Sequence, residues 1–202
     1  DTQRFVLVGA PGSGKTTTLR RVLHERARQI LELSQNNKLP VFIAAKNYSK
    51  INGNDFETLI SRALGTDIGN TIQLLNSGNL HILIDGVNEI DSDQRYGAFD
   101  EINKLMDYYL DCAFIISSRK YGFQNKFKIK EFELKEFQEP EIREFLFKHN
   151  PEKAETIWQE LESNKKILAL ASNPLMLFMI FAVSFKTGKI PKNKGVLFDF
   201  FI

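Results

Sequence analysis

Cysteine is almost absent: Cys112 is the only one in 202 residues, so no internal disulfide can form and a reducing compartment, the cytoplasm, is expected. With three histidines beside it, the chain has no Cys/His pattern for zinc and no serine, cysteine or histidine arrangement for a nucleophilic triad. Long hydrophobic runs are missing as well. The most apolar stretch, Leu175 to Val183, is nine residues, against roughly 20 for a bilayer crossing, so no membrane partner is expected. No signal peptide is visible, because four polar residues lead straight into strand-like FVLVGA. Charge of one sign is lacking too. Twenty-seven Lys and Arg face 25 Asp and Glu, and a net charge of +2 is too mild to make nucleic acid the main partner. The chain has no initiator methionine and stops within FDFFI, which reads as a piece of a larger protein.

What is present is ordinary globular material. Hydrophobic residues make up 43% and charged residues 26%, enough for one compact domain with a small helical extension. Strands and helices alternate, without internal repeats. Arg4 to Val8 predicts a strand, and LRRVLHERARQILEL after Lys15 predicts a helix by its apolar spacing. VFIAA after Pro40 predicts a buried strand, and two short helices fill Asp55 to Ser77, closed by Gly78. Then come a strand at His81–Ile84, a helix with Phe99, Ile102, Leu105 and Tyr109 on one face, and a strand at Ala113–Ile116. Lys126 to Leu134 alternates polar and apolar residues, as a charged edge strand would. After Gln138 three helical segments follow, with breaks at Pro151, Asn164 and Pro174. The seventeen phenylalanines fall on these apolar faces and read as core.

The chemistry concentrates in a few places. GAPGSGKT, Gly9 to Thr16, matches G-x-x-x-x-G-K-[ST], after a predicted strand and opening a predicted helix. Such a loop turns successive N–H groups toward phosphate oxygens, and the helix dipole adds to them. The nucleotide-contacting positions are therefore Gly9, Ala10, Pro11, Gly12, Ser13, Gly14, Lys15, Thr16 and Thr17. Lys15 would hold the β- and γ-phosphates, and Thr16 would offer its hydroxyl to Mg²⁺. A second metal ligand is expected at the end of a neighbouring strand, and Asp85 in HILIDGVNEID supplies it. Glu89 could reach the water that attacks the γ-phosphate, or could be a plain solvated carboxylate. Arg119, closing AFIISSR, could stabilise γ-phosphate charge or serve as an ion-pair partner. Lys120 reads as a solvated charge, and Asp91, Asp93, Asp100 and Glu101 read as helix-start acids.

Together these residues resemble the NACHT family, a class of signalling P-loop NTPases known as STAND, over essentially the whole chain. The specific features are the tiny Gly86 directly after Asp85, the acidic Glu89 four residues on, the SSR that ends in Arg119, and ASNPLML. The resemblance implies that Pro174 packs against adenine, that Arg119 is a sensor arginine, and that PKNKGVLFDFFI leads into a winged helix. It also implies an α/β three-layer P-loop NTPase fold of the additional-strand, AAA-like type with a central, mostly parallel sheet. The expected core spans residues 1–137, a small helical subdomain 138–190, and the start of a truncated winged-helix segment 191–202.

ATP and ADP with Mg²⁺ are the expected ligands. Five Asn-Lys pairs, at residues 37, 103, 125, 164 and 193, lack the Asp two residues later that guanine-specific proteins use. The family's acidic pair begins with Asn88 here, leaving Glu89 alone as a candidate base and hydrolysis slow. The implied activity is a switch: closed with ADP, self-associating with ATP, and coupled to fused effector and sensor domains absent here, in signalling or antiviral immune defence. A motor ATPase of the AAA type, acting on nucleic acid or protein, is the alternative. That group usually has Glu where Gly86 stands. A small-molecule kinase would need an acceptor pocket and lid arginines that the sequence does not display.

Overall fold

The computed structural model describes residues 3–33, 38–121 and 123–201; Asn37 and Ile202, touched on above, lie outside these. Five strands form one sheet: β1 (Arg4–Gly9), β2 (Leu39–Ala44), β3 (Leu80–Asp85), β4 (Ala113–Arg119) and β5 (Lys130–Glu133). They pair in parallel throughout, in the order β2-β3-β4-β1-β5. Because β4 lies between β1 and β3, the glycine-loop strand and the Asp85 strand are separated by an additional strand.

Strands β1 to β4 are largely apolar on both faces, as a sheet covered on both sides requires, whereas β5 is an exposed, charged edge. Leu7, Leu83 and Ile115 meet Leu19 of helix α1 (Lys15–Leu33) on one face. Val6, Val8, Ile82, Ile84, Phe114 and Ile116 point to the other, where they join Phe56, Ile60, Leu75 and Ile102. Those last residues belong to α2 (Phe56–Leu64), α3 (Ile68–Asn76) and α4 (Arg95–Tyr108). Each fully buried aliphatic or aromatic side chain stabilises the layers by roughly 1.5–3 kcal/mol. The α/β three-layer architecture expected from the strand–helix alternation is present. Pro40 sits inside β2, tolerated because β2 is an edge strand with a side that needs no N–H donor.

Helix ends are closed by identifiable groups. Asp55 and Asp67 cap α2 and α3 by accepting the N–H of Thr58 and Asn70. At the far end of α4 and just beyond, the Arg4 guanidinium donates to the carbonyls of Met106, Tyr109, Leu110 and Cys112 at 2.6–3.1 Å. One arginine thus bonds four carbonyl oxygens at the end of the helix and in the turn that follows it.

Three expectations change. The predicted edge strand Lys126–Leu134 is only Lys130–Glu133, because the chain before it turns inward to bury Phe127 and takes a left-handed step at Lys128 (φ +53°). Asp100 and Glu101 lie inside α4, not at its start. Asp100 pairs with Lys104, and Glu101 accepts the Tyr48 hydroxyl and the Phe56 N–H. The third concerns the helical region, where two helices were not foreseen. Lys165–Ala171 is separate from the helix before Asn164, and Lys194–Asp199 is a further short one.

The chain divides into two compact units. The sheet unit comprises residues 1–10 and 15–134, and the second comprises residues 135–202 with Pro11–Gly14. In the second, α5 (Glu139–His149), α6 (Ala154–Ser163), α7 (Lys165–Ala171), α8 (Pro174–Thr187) and α9 (Lys194–Asp199) pack around Leu146, Trp158, Leu161, Leu177 and Ile180. Asn164 caps α7 and Asn173 caps α8, each through its side-chain oxygen.

Candidate nucleotide site

The sheet unit gathers its functional residues at the C-terminal ends of adjacent parallel strands. This is where α/β sheets bind ligands, because loops diverge there and helix N-termini converge. Gly9 at the end of β1 is in register with Arg119 at the end of β4. Asp85 ends β3, one residue beyond the Ile84–Ile116 pair. Thr16, in the first turn of α1, donates its hydroxyl to Asp85 Oδ2 at 2.8 Å. The two expected metal ligands are therefore in contact. That first turn carries no acidic side chain, so its positive end is left for an anion.

Lys15 folds its ammonium onto the carbonyls of Gly9 and Ala10, at 2.9 and 2.8 Å. Its pKa is pushed below the ordinary lysine value, first by burial and then by the Arg119 guanidinium, while Asp85 and Glu89 pull it back up. All four residues thus share one electrostatic neighbourhood. Two cations and two carboxylates within mutual influence suit a phosphate chain with a divalent cation.

Gly86 takes a left-handed φ of +75°. A Cβ there would lie 3.1 Å from the carboxyl carbon of Glu89, which folds back over it. The torsion favours glycine after Asp85, and a Cβ there would also crowd the Glu89 side chain. Asn88 turns the opposite way, its Oδ1 accepting the backbone N–H of Arg119 at 2.8 Å. Its amide ties the loop after β3 to the end of β4.

In the helical unit, the loop residues Pro11–Gly14 meet the N-terminus of α8. Asn173 Nδ2 donates to the Pro11 carbonyl at 2.9 Å, and the Leu175 N–H donates to the Gly12 carbonyl at 3.2 Å. Gly12 has φ +76°, and a Cβ on it would stand 2.8 Å from Asn173 Oδ1 and 2.9 Å from Leu175 Cβ. Only glycine fits that position. Pro174 stands between the two residues that grip the loop. Thr17 is exposed on α1.

Two residues in these arrangements were not foreseen. Ser117 is fully buried and bonds Asp85; its signal was a polar residue ending an apolar buried strand, which demands a partner. Asn173 could have been read from Asn-Pro before an apolar helix, a common N-cap and N1 pairing.

The parallel sheet, the intervening β4 and the glycine loop leading into α1 define a nucleotide-binding P-loop NTPase. A family model, the NACHT domain, matches residues 3–153, and the chain belongs to that family. No curated protein gives a significant match. Among solved structures, the Orc1 protein of Aeropyrum pernix in complex with DNA is similar, with a TM-score of 0.59 and 14% sequence identity. The alignment covers 97% of this chain and 58% of that one, so this chain spans less than two thirds of that protein's length. At that identity the likeness concerns the fold.

Proposed function

We propose that this module is an ATP- and ADP-binding switch that hydrolyses ATP slowly and controls self-association in signalling or immune defence. The observation that carries this reading is the grip of Asn173 and Leu175 on Pro11 and Gly12. The tip of the phosphate loop is hydrogen-bonded to the start of α8, so a change in what the loop holds is felt directly by the helical unit. Pro174, at that junction, would pack on adenine, and a contact with the base is common to ATP and ADP.

The donor set fits Mg²⁺: a hydroxyl and a carboxylate, both hard oxygen ligands, stand 2.8 Å apart at the head of a helix whose first turn lacks acids. Thr16 and Asp85 would hold the ion, which when bound neutralises charge on the terminal phosphates. Lys15 and Arg119 add positive charge to the same region, and Gly9 to Thr17 cradle the phosphates. Glu89 would take a proton from the attacking water. It is the one acid in the loop after Asp85 up to Ile90, since position 88 carries an amide whose oxygen is occupied by the Arg119 N–H. A lone base folded against Gly86 suits slow turnover.

The motor reading has in its favour the similarity to Orc1, seen bound to DNA. Gly86 weighs against it, because the residue that motor ATPases use at that position is missing here. Comparing single-turnover with steady-state ATP hydrolysis separates the two. A switch gives slow single turnovers and tightly held ADP. Turnover of many ATP per second would overturn it. Glu89→Gln should lower the single-turnover rate at least ~10-fold while ATP affinity stays near the parent's. An unchanged rate would remove Glu89 as the base.

A further inference from the structure

Ser117 has no assigned part in nucleotide chemistry, yet it is the most constrained polar side chain of the site. It is fully buried on β4, beside the end of β3. Its Oγ accepts the Gly86 N–H at 2.8 Å and donates to Asp85 Oδ1 at 2.6 Å. A hydroxyl has one proton, and an ionised carboxylate can only accept, so that proton is directed at Oδ1. The other carboxylate oxygen, Oδ2, is the one beside Thr16. Asp85 therefore has two unlike oxygens. Oδ1 is tied into the sheet, and Oδ2 alone is turned toward the hydroxyl expected to bind metal.

We propose that Ser117 is a positioning residue that sets cation selectivity: by occupying Oδ1 it makes Asp85 a one-oxygen ligand and favours Mg²⁺ over Ca²⁺. The inference rests on the Mg²⁺-nucleotide reading of the site given above. Mg²⁺ takes six ligands in near-octahedral geometry at about 2.0–2.1 Å and keeps several waters, so one oxygen per carboxylate suits it. Ca²⁺ takes six to eight ligands at about 2.3–2.6 Å and readily uses both oxygens of a carboxylate. Oδ1 already gives one lone pair to Ser117 and is oriented by that bond, so offering both oxygens to a single cation is disfavoured. The pin is firm, because the Gly86 N–H orients the hydroxyl and burial excludes the water that would compete for it.

The test measures binding, independent of turnover. ADP affinity is titrated by calorimetry in Mg²⁺, in Ca²⁺ and without divalent ions, for the parent, Ser117→Ala and Ser117→Thr, with thermal melting as the folding control. The parent should bind ADP more tightly with Mg²⁺ than with Ca²⁺. Ser117→Ala should narrow that ratio about tenfold, the worth of one charge-assisted hydrogen bond, with metal-free affinity little changed. Ser117→Thr keeps the hydroxyl and should restore the ratio. An Ala variant with the parent's ratio overturns the proposal. Should Ser117→Ala fail to fold, Ser117→Cys replaces it: a weak thiol donor should give an intermediate ratio, and an unshifted one again overturns the proposal. A parent whose ADP binding ignores both cations removes the site reading, and the inference with it.

Discussion

The two units hold their functional residues by different means. In the sheet unit, Gly9, Asp85 and Arg119 sit at strand ends, and backbone ladders set where each side chain begins. Ser117, Thr16 and Asn88 then lock the carboxylate and the loop after it with hydrogen bonds of 2.6–2.8 Å. In the helical unit, the corresponding work is done at a helix cap. Asn173 uses its oxygen to cap α8 and its nitrogen to hold Pro11, and a second backbone bond reaches Gly12. The first arrangement is anchored over its whole length and suits chemistry that needs fixed ligands. The second joins a loop to a helix start through two hydrogen bonds and the close approach of Gly12 to Asn173 and Leu175.

The largest expected effect tests the sheet side. Lys15→Ala removes a cation that shares its neighbourhood with Arg119, and should weaken ATP binding by on the order of 2–5 kcal/mol. Calorimetry with Mg²⁺ and ATP reads this, and an unchanged affinity would dismiss the phosphate role of the loop.

A second effect probes how tightly the sheet unit excludes water. His81 is buried in β3, and its Nε2 has no hydrogen-bond partner among the described residues. Burial, then the nearby Arg26 and Lys38 cations, lower its pKa to about 4 from an ordinary value near 6.5. Above pH 6.5 both folded and unfolded chains carry it neutral, so the stability it contributes is fully present. As pH falls toward 4, the unfolded chain takes up a proton that the fold refuses, and stability is lost. Between pH 7 and pH 5 the loss should be about 2 kcal/mol. Urea unfolding of the parent and of His81→Gln should show the variant's profile flattened by that amount; parallel profiles would reject it.

The smallest effect belongs to the cap. Asn173→Ala should cost about 1 kcal/mol in urea unfolding through loss of the α8 N-cap. Asn173→Asp keeps the capping oxygen, replaces the donor to Pro11 by an acceptor and adds a negative charge. It should retain stability near the parent's and change ADP affinity a few-fold. An Asp variant with the parent's ADP affinity would show that nucleotide binding does not depend on the Asn173–Pro11 bond, and the comparison would lose its functional meaning.

Much of the fold was legible in local pattern. Short apolar runs located β1 to β4, because a two-sided parallel sheet needs continuous apolar strands. Gly78 was read correctly as a helix terminator, with φ +69° just past α3. Failures came where a tertiary contact outweighed a local pattern. Alternation over residues 126–134 favoured one long strand, but burying Phe127 against the α4 side gained more than extending the ladder. Glu101 resembled a helix-start acid, but it is an acceptor for Tyr48 and Phe56. Of the candidate site, Lys15, Thr16, Asp85 and Arg119 were readable from spacing. Their mutual approach was not.

The sequence by itself determined the residue types and their order: a glycine loop before a helix, an acid closing a strand, an arginine closing another, a proline opening an apolar helix. These are short-range facts, set by what each backbone and side chain can do alone. Only the tertiary structure decided which oxygen of Asp85 meets Thr16 and which meets Ser117. Only it placed the Asn88 amide oxygen on the Arg119 N–H, and made Gly12 obligatory against Asn173 and Leu175. Within the sheet unit, strand order and the helix after β1 bring together groups 31 and 69 residues apart, and no local periodicity encodes that.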